Sequence, residues 1–435
     1  MGKKNCFGTL FDICLTGISF GNINLAGIVW KNDFSGLFLG DSIFMDLDAL
    51  NKLVFDVVEI VRKDENGLDS GVDFALAFSR ENGISADYLL ELAKICDSRR
   101  MFKEEYVFLK ACASLASGEV RVEAYFLSGV IAYFIGLKKK ALEEFREVLR
   151  LDPEHVNALC NQGIVLADIG EKLEAEKLYK RALELDSEHV STHCNYANLF
   201  YELGELEKAE SEFEKVLKLD PAHANARCNY ANLLADLGRT EEAEVQFENV
   251  LEKVPEHVSA NYNYANLLRQ QGRLGEAEYH YSEVLKVSPG HLNTLCNYGN
   301  LLSESGRFDE AEAQYRLVLR LDPGDVDTRA NYGQLLFELG RYREAEFQYQ
   351  EALETDPFHV PTLCNYGNLF KRLGMLRKAE EKYREALEQD PVDIKTCYNY
   401  SMLLFKLERV DEAKEHYLKA VSTKDFLSEL PAFML

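Results

Sequence analysis

The chain has 435 residues and a formal net charge of −24, because 73 acidic side chains outnumber 49 lysines and arginines. This excess of negative charge argues against a sequence-independent grip on nucleic acid, which needs clustered basic residues, and against an anionic membrane surface. No apolar run in the sequence reaches the length that spans a bilayer. We therefore expect neither a nucleic-acid partner nor a membrane partner.

Residues 1–48 contain few helix formers and carry large apolar residues every five positions. The residues with this spacing are Leu10, Leu15, Phe20, Leu25 and Trp30, then Phe34, Leu39 and Phe44. The pattern resembles a pentapeptide-repeat β-helix, although that family prefers small residues where Ile13, Ile18, Ile23 and Ile28 fall. A few ordinary short strands are the alternative. Both interpretations place β structure in this small N-terminal region.

Residues 49–121 are predicted to be mainly helical. The spacing of Leu47–Arg62 indicates an amphipathic helix, and the charged, glycine-containing stretch Lys63–Gly71 indicates a linker, so residues 49–84 are interpreted as helix and linker. Tyr88–Cys96 and Phe102–Leu115 predict a pair of helices. Their apolar residues loosely match the repeat that follows, so residues 85–121 are predicted to be a degenerate capping repeat.

Residues 122–425 repeat every 34 positions without a gap, in nine copies. The repeated phrase reads NYANLL at Asn229 and Asn263, NYGNLL at Asn297 and NYGNLF at Asn365. A fixed period of this length predicts a solenoid, in which each unit is a supersecondary element that packs on its neighbours. The last ten residues, 426–435, form an apolar tail.

One copy, Pro221–Val254, shows what a repeat contains. Ala224–Leu237 has apolar residues at helical spacing and is followed by Gly238, a residue suited to a helix C-terminus. A second helix is predicted to begin near Thr240. Small residues are expected where the two helices cross, with an aromatic residue beside them, as in Gly299, Ala311 and Tyr315 or Gly333, Ala345 and Tyr349.

These features resemble the tetratricopeptide repeat family over most of the chain. The resemblance implies an all-α, right-handed solenoid of helix-turn-helix repeats, whose first helices line a concave groove. One departure from the family is systematic, since tyrosine replaces the usual leucine after the asparagine. We interpret these tyrosines as packing between repeats: Tyr196, Tyr230, Tyr264, Tyr298, Tyr332, Tyr366 and Tyr400.

No motif for catalysis or for a cofactor occurs in the sequence, which lacks GxxxxGK[ST], HExxH, CxxC and GxSxG. Histidines recur in one repeat position, at His155, His189, His223, His257, His291 and His359. Consecutive copies cannot converge on one metal ion, whose ligands lie about 2 Å away, so we interpret these histidines as helix starts. We expect no enzymatic activity, no cofactor and no metal.

Cysteines also recur in one repeat position, at Cys160, Cys194, Cys228, Cys296 and Cys364. Neighbouring equivalent helices should lie roughly 8–10 Å apart, whereas a disulfide needs Cα atoms within about 7 Å. We therefore expect free thiols that act as small apolar fillers. Unpaired cysteines predict a reducing compartment, the cytoplasm.

Two polar series are predicted to lie on the concave groove. Asparagines form two rungs three residues apart, which places them on one side of the helix. The first rung is Asn161, Asn195, Asn229, Asn263, Asn297, Asn331, Asn365 and Asn399, and the second is Asn198, Asn232, Asn266, Asn300 and Asn368. An amide offers both a donor and an acceptor to a peptide backbone. The alternative is that the asparagines bond between neighbouring repeats and make the solenoid rigid.

The second series is charged and changes sign along the chain. It comprises Asp168, Glu202, Asp236, Glu304 and Glu338, is interrupted by Gln270, and ends with Arg372 and Lys406. The reversal predicts a bound segment that is basic along most of its length and acidic near the C-terminal repeats.

The sequence therefore predicts a non-enzymatic scaffold that binds an extended protein segment. The paired asparagines are similar to those in the repeat region of O-linked N-acetylglucosamine transferases and in kinesin light chains, where the resemblance implies contacts to a partner's backbone. Two alternatives stay open. The chain could recruit substrates for a separate enzyme such as a glycosyltransferase, or it could self-assemble into homo-oligomers through the ends of the solenoid and the apolar tail.

Overall fold

The computed structural model describes residues 47–63 and 67–421, and every regular element in this part of the chain is an α-helix. Of the residues 1–48 for which β structure is predicted, 1–46 lie outside the described residues, as does the apolar tail 426–435, and Leu47 and Asp48 belong to the first helix. Two compact units divide the chain, one ending at Leu233 and the other beginning at Leu234. They are called the N-terminal unit and the C-terminal unit below.

The helices of the N-terminal unit follow one another with short turns. They are α1 (Leu47–Lys63), α2 (Gly67–Asn82), α3 (Ala86–Ser98), α4 (Phe102–Leu115), α5 (Gly118–Phe134), α6 (Lys138–Leu151), α7 (Val156–Asp168), α8 (Lys172–Leu185), α9 (Val190–Leu203) and α10 (Leu206–Leu219). The boundary between the units falls within α11 (Ala224–Asp236).

The C-terminal unit continues the alternation of first and second helices. Its helices are α12 (Thr240–Lys253), α13 (Val258–Gln270), α14 (Leu274–Val287), α15 (Leu292–Glu304), α16 (Phe308–Leu321), α17 (Val326–Glu338), α18 (Tyr342–Thr355), α19 (Val360–Arg372), α20 (Leu376–Gln389), α21 (Ile394–Lys406) and α22 (Val410–Val421). The predicted architecture, an all-α solenoid of helix-turn-helix repeats, is confirmed.

The linker predicted over Lys63–Gly71 is wrong in its second half, because α2 begins at Gly67. Gly67 and Gly71 are the first two of four small buried residues spaced by four along α2. A Cβ at Gly67 would lie 2.8 Å from the carbonyl oxygen of Ile60, and one at Gly71 would lie 3.2 Å from Val107. The glycines therefore serve close packing of helices, although they give the segment the composition of a linker.

Each repeat is a helical hairpin whose limits follow from a few residues. His257 caps α13, since its Nδ1 accepts a hydrogen bond from the backbone N–H of Ala260 at 3.2 Å. Gly272 follows the helix with a φ of +76°, a conformation in which a Cβ would be strained. The prediction that the histidine series marks helix starts is confirmed, because the same cap occurs at His155, His189, His223 and His291.

The interior of each hairpin is an aromatic ring packed against a small residue. In the repeat formed by α17 and α18, a Cβ at Gly333 would lie only 2.5 Å from Cε1 of the buried Tyr349. The ring of Tyr366, on the first helix of the next repeat, packs on Tyr349 with centroids 5.8 Å apart. The prediction that these tyrosines pack between repeats is therefore confirmed.

The tyrosines that pack between repeats also form hydrogen bonds. The hydroxyl of each one contacts a carboxylate on the second helix of the preceding repeat. Tyr298 donates to Oε1 of Glu278 at 2.7 Å, and Arg307, at the start of the next second helix, donates to both oxygens of Glu278 at 2.7 and 2.8 Å. The hydrogen bond from Arg307 is the largest cause that lowers the pKa of Glu278. This Tyr–Glu–Arg network recurs as Tyr264, Glu244 and Arg273; as Tyr332, Glu312 and Arg341; and as Tyr400, Glu380 and Arg409.

Candidate functional site

The predicted asparagines lie on the first helices, and their accessibility differs between the units. In the N-terminal unit Asn161, Asn195, Asn198 and Asn229 are buried, whereas Asn232 is partly exposed. In the C-terminal unit only Asn365 of the predicted asparagines is buried. The partly exposed asparagines of the C-terminal unit are Asn263, Asn266, Asn297, Asn300, Asn331, Asn368 and Asn399.

The second-rung asparagines are oriented by a tyrosine of their own repeat. The hydroxyl of Tyr315 donates to Oδ1 of Asn300 at 2.7 Å, and the same bond joins Tyr281 to Asn266 and Tyr383 to Asn368, both at 2.6 Å. Where the asparagine is missing, the tyrosine loses its acceptor. Within the described part of the chain, the buried hydroxyls of Tyr179 and Tyr349 have no hydrogen-bond partner, and the equivalent positions hold Ile164 and Gln334.

The first-rung asparagines bond to the preceding repeat. Nδ2 of Asn229 donates to Oδ1 of Asn198 at 3.0 Å, and Nδ2 of Asn297 donates to Oδ1 of Asn266 at 2.9 Å and to the hydroxyl of Tyr262 at 3.0 Å. These contacts support the alternative in which the asparagines make the solenoid rigid.

The repeated cysteines take part in the same pattern. Nδ2 of Asn195, Asn331 and Asn399 lies 3.8, 3.6 and 3.6 Å from Sγ of Cys160, Cys296 and Cys364, respectively. Each thiol is therefore both a small filler, as predicted, and a weak hydrogen-bond acceptor for the asparagine of the next repeat. All eight cysteines of the described residues are unpaired.

A set of amide groups in the C-terminal unit keeps hydrogen-bonding capacity. Among the described residues, Asn263 has no hydrogen-bond partner, and the Nδ2 groups of Asn266, Asn300 and Asn368 have none. These side chains are partly exposed on α13, α15 and α19, first helices of the same unit. We call the partly exposed side of α13, α15, α17, α19 and α21 the first-helix surface. An amide whose oxygen is already held by a tyrosine can donate with little further loss of rotamer freedom.

The charged series is exposed, but several of its carboxylates are already paired. Asp168 and Glu202 lie 2.7 and 2.9 Å from Lys138 and Lys172, at the start of the second helix of the preceding repeat. Such partly exposed ion pairs contribute little to the stability of the fold. Each lysine nevertheless offsets the negative charge of its carboxylate.

The carboxylates of the C-terminal unit differ in their partners. Glu304 lies 2.8 Å from Arg269, whereas Glu338 accepts a hydrogen bond from the neutral Gln334 at 2.8 Å. Asp236 is exposed at the end of α11. Farther along the unit, the exposed Arg372 donates to the hydroxyl of Tyr342 at 3.2 Å, and Lys406 is exposed at the end of α21.

Two contributors to this surface are missing from the sequence prediction. Tyr262 accepts the hydrogen bond from Asn297, and Arg269 neutralises Glu304, and both lie on α13. Neither recurs in the neighbouring copies, since the preceding copy has Cys228 and Ala235 in these positions and the following copy has Cys296 and Ser303, although Tyr398 repeats Tyr262 farther along the chain. A search for repeated residues passes over them.

No group of three or more His, Cys, Asp and Glu side chains in the described residues is placed to hold a metal ion. None of the described helices combines the length and the apolar character needed to cross a membrane.

Comparison with known proteins connects this architecture to a family. Models described as tetratricopeptide repeat match residues 128–189, 195–250, 256–324, 302–361, 360–393 and 394–425. No curated protein matches the sequence at a significant level.

Three solved structures illustrate what the chain is similar to. A tetratricopeptide repeat protein from Parabacteroides merdae is 22% identical with a TM-score of 0.44, over 54% of this chain and 93% of that chain. PilF from Pseudomonas aeruginosa is 22% identical with a TM-score of 0.42, over 48% of this chain and 94% of that chain. Yeast Tom70 is 13% identical with a TM-score of 0.43, over 79% and 92%. Because the family models together cover well over half of its residues, the chain belongs to the tetratricopeptide repeat family.

Proposed function

We propose that the chain is a protein-interaction scaffold whose first-helix surface binds an extended segment of a partner protein. Tetratricopeptide repeats are in general interaction modules without catalytic activity, and stacked repeats present extended surfaces for binding. The observation that carries the finer proposal is the set of amides in the C-terminal unit. Asn263 and the oriented Nδ2 groups of Asn300 and Asn368 are partly exposed and have no partner among the described residues.

The charges of the same surface favour a segment of mixed sign. Glu338 has no cationic partner among the described residues, whereas Glu304 forms an ion pair with Arg269. A basic stretch of the partner would face these carboxylates. An acidic stretch would face Arg372 and Lys406, which are exposed farther along the unit. Such complementarity sets the register of a bound segment and its rate of association more than its affinity.

Fluorescence anisotropy with labelled peptides of equal length tests the proposal. The peptides are basic, acidic, neutral, or basic followed by acidic, and all are titrated at low salt. We expect the basic and the basic-acidic peptides to bind. An Asn263→Ala, Glu338→Gln double variant should weaken their binding about tenfold, since it removes one amide and one charge, together worth about 1.4 kcal/mol.

The matched control is Asn249→Ala, Glu388→Gln, which makes the same chemical changes on second helices. Its affinity should stay within about twofold of the wild type, since a surface change away from the site perturbs little. The proposal is wrong when peptides of all charge patterns bind equally, or when the two double variants behave alike.

The cysteines support a cytoplasmic site of action for this scaffold. The cysteines of the described residues are unpaired, and Cys96, Cys112, Cys160, Cys194, Cys228, Cys364 and Cys397 are buried. Free thiols are typical of proteins in a reducing compartment.

A further inference from the structure

A groove on the opposite helices of the C-terminal unit carries a concentration of arginines. It has a volume of about 1070 Å³ and lies between the second helices α16 and α18, with α17 beneath them. Arg316 and Arg320, one turn apart on α16, and Arg343, in the first turn of α18, line it together with Arg329 of α17. Ala313 and Phe347 also line the groove, and the side chain of Phe347 is 53% exposed.

Two of the four arginines already have partners. Arg316 lies 2.6 Å from Glu312 and donates to the hydroxyl of Tyr332 at 3.0 Å. Arg329 donates to the carbonyl oxygen of Pro323 at 2.9 Å and lies 3.7 Å from Glu351.

The other two arginines are exposed, and no carboxylate of the described residues lies within ion-pair distance of Arg320 or Arg343. The acidic residues that line the groove are Asp309, Glu312 and Glu344. Arg341 bridges two of them, since its guanidinium lies 2.6 Å from Glu312 and 2.6 Å from Glu344. Four arginines and three carboxylates line the groove, so it has an excess of positive charge in a chain whose net charge is −24.

Comparison with the neighbouring copies of the repeat shows that the concentration of arginines is confined to this copy. In the following copy, the positions of Arg316, Arg320, Arg329 and Arg343 hold Gln350, Glu354, Leu363 and Arg377. In the preceding copy, they hold Ser282, Lys286, Leu295 and Asp309. The fold does not require arginine at these positions, because the same helices form without it.

We propose that this groove, the Arg316–Phe347 groove, binds an acidic peptide segment of a partner protein, with a large apolar side chain between two acidic ends. Second helices of neighbouring repeats run in the same direction, so Arg343 and Arg320 lie toward opposite ends of the groove. Phe347 lies one turn after Arg343 and offers an apolar contact between them. Guanidinium groups bind carboxylates in a bidentate manner, which suits Asp or Glu side chains.

A peptide is favoured over nucleic acid by the surroundings of the groove. A nucleic acid is an extended polyanion and would reach beyond the four arginines of the groove. Its outer phosphates would then be repelled by the negative charge of the rest of the chain. A short acidic segment would contact only the local positive charge. The exposed Phe347 adds a preference for a ligand with an apolar side chain, which a bare phosphate lacks.

Anisotropy with four labelled probes tests the inference: an acidic peptide with a central leucine, the same peptide with a central serine, a phosphoserine peptide without other acidic residues, and single-stranded DNA. The variant is Arg320→Gln, Arg343→Gln, and both side chains are exposed and unpaired among the described residues, so the fold should persist. The control is Arg80→Gln, Arg146→Gln, which makes the same charge change in the N-terminal unit. Circular dichroism checks the helical content of each variant.

We expect the leucine peptide to bind the wild type and the control equally, and the Arg320→Gln, Arg343→Gln variant about tenfold more weakly. Phe347→Ser and the serine peptide should each give a loss of about threefold or more. Equal affinity of the two double variants would overturn the inference, and so would preferential binding of DNA or phosphopeptide. Binding of basic peptides should be unchanged in Arg320→Gln, Arg343→Gln, which separates this groove from the first-helix surface.

Discussion

At the scale of single residues, the contact between glycine and aromatic ring is the tightest constraint in a repeat. On first helices, Gly163, Gly299, Gly333 and Gly367 each face a tyrosine ring so closely that a Cβ would lie 2.5 to 2.7 Å from Cε1. Repeats with alanine in this position, such as Ala265 opposite Tyr281, keep both residues fully buried. The position therefore accepts glycine or alanine, but the packing of each hairpin fits the residue that it contains.

Gly333→Ala should destabilise the C-terminal unit by about 1–3 kcal/mol, the usual cost of overpacking a filled interior. The added methyl group would lie 2.5 Å from Cε1 of Tyr349, whose side chain is fully buried. Denaturant unfolding followed by circular dichroism measures the change. The matched control is Gly275→Ala on α14, where no atom lies within 4 Å of a Cβ. It should be neutral or stabilise by up to about 1 kcal/mol, since alanine favours a helix. Equal effects of the two substitutions would contradict the argument.

At the scale of the helices, the Tyr–Glu–Arg network joins three consecutive helices through one carboxylate. Glu278 on α14 accepts from Tyr298 on α15 and from Arg307, which precedes α16. Burial is the largest cause that raises the pKa of Tyr298 to about 12, so the phenol remains a donor at neutral pH. Two repeats depart from the pattern, because Met375 and Glu205 stand in the position of the arginine, beside the pairs of Tyr366 with Glu346 and of Tyr196 with Glu176.

A double-mutant cycle on Glu278→Gln and Arg307→Gln should give a coupling energy of about 0.5–1 kcal/mol, measured by denaturant unfolding. The value is modest because the two side chains are 32% and 38% exposed, so solvent screens the pair. The control cycle uses Glu174 and Lys177, an ion pair within α8 whose side chains are 56% and 69% exposed. It should give about 0.3 kcal/mol or less. A larger coupling in α8 than across the repeats would count against a role for the network.

Much of the helical architecture was predictable from residues with a fixed spacing. The period of 34 and the positions of glycine and histidine gave the limits of the helices, and α12 begins at the predicted Thr240. Residues that break the pattern were not predictable in this way. Gly67 and Gly71 have the composition of a linker but serve helix packing, and the four arginines around Phe347 occur together in one copy only.

The candidate site was only partly predictable for a related reason. The spacing places the asparagines on the first helices. Hydrogen bonding depends on the partner at each position, and Asn300 is held by Tyr315 while Asn263 has no partner among the described residues. Asparagines at equivalent positions of the repeat therefore differ in burial and in hydrogen bonding.

At the scale of the whole chain, contacts between helices in the described residues are local in sequence. Second helices pack on the first helices beside them, and first helices pack on their equivalents one repeat away, as α15, α17 and α19 do. A solenoid of this kind behaves as a one-dimensional array, whose stability is a sum over repeats and over interfaces between neighbours. Local damage should therefore stay near its origin instead of unfolding the entire chain.

Hydrogen exchange measured by mass spectrometry on Gly333→Ala tests this locality. Protection should fall in α15, α16, α17, α18, α19 and α20, by about tenfold for each 1.4 kcal/mol of destabilisation. Protection in α3, α4, α5 and α6 of the N-terminal unit should match the wild type, since the stability of a one-dimensional array depends on interfaces between neighbouring repeats. Gly275→Ala serves as the reference and should not reduce protection in α17 and α18. A uniform loss of protection from α3 to α22 would show a single cooperative unit and contradict the one-dimensional description.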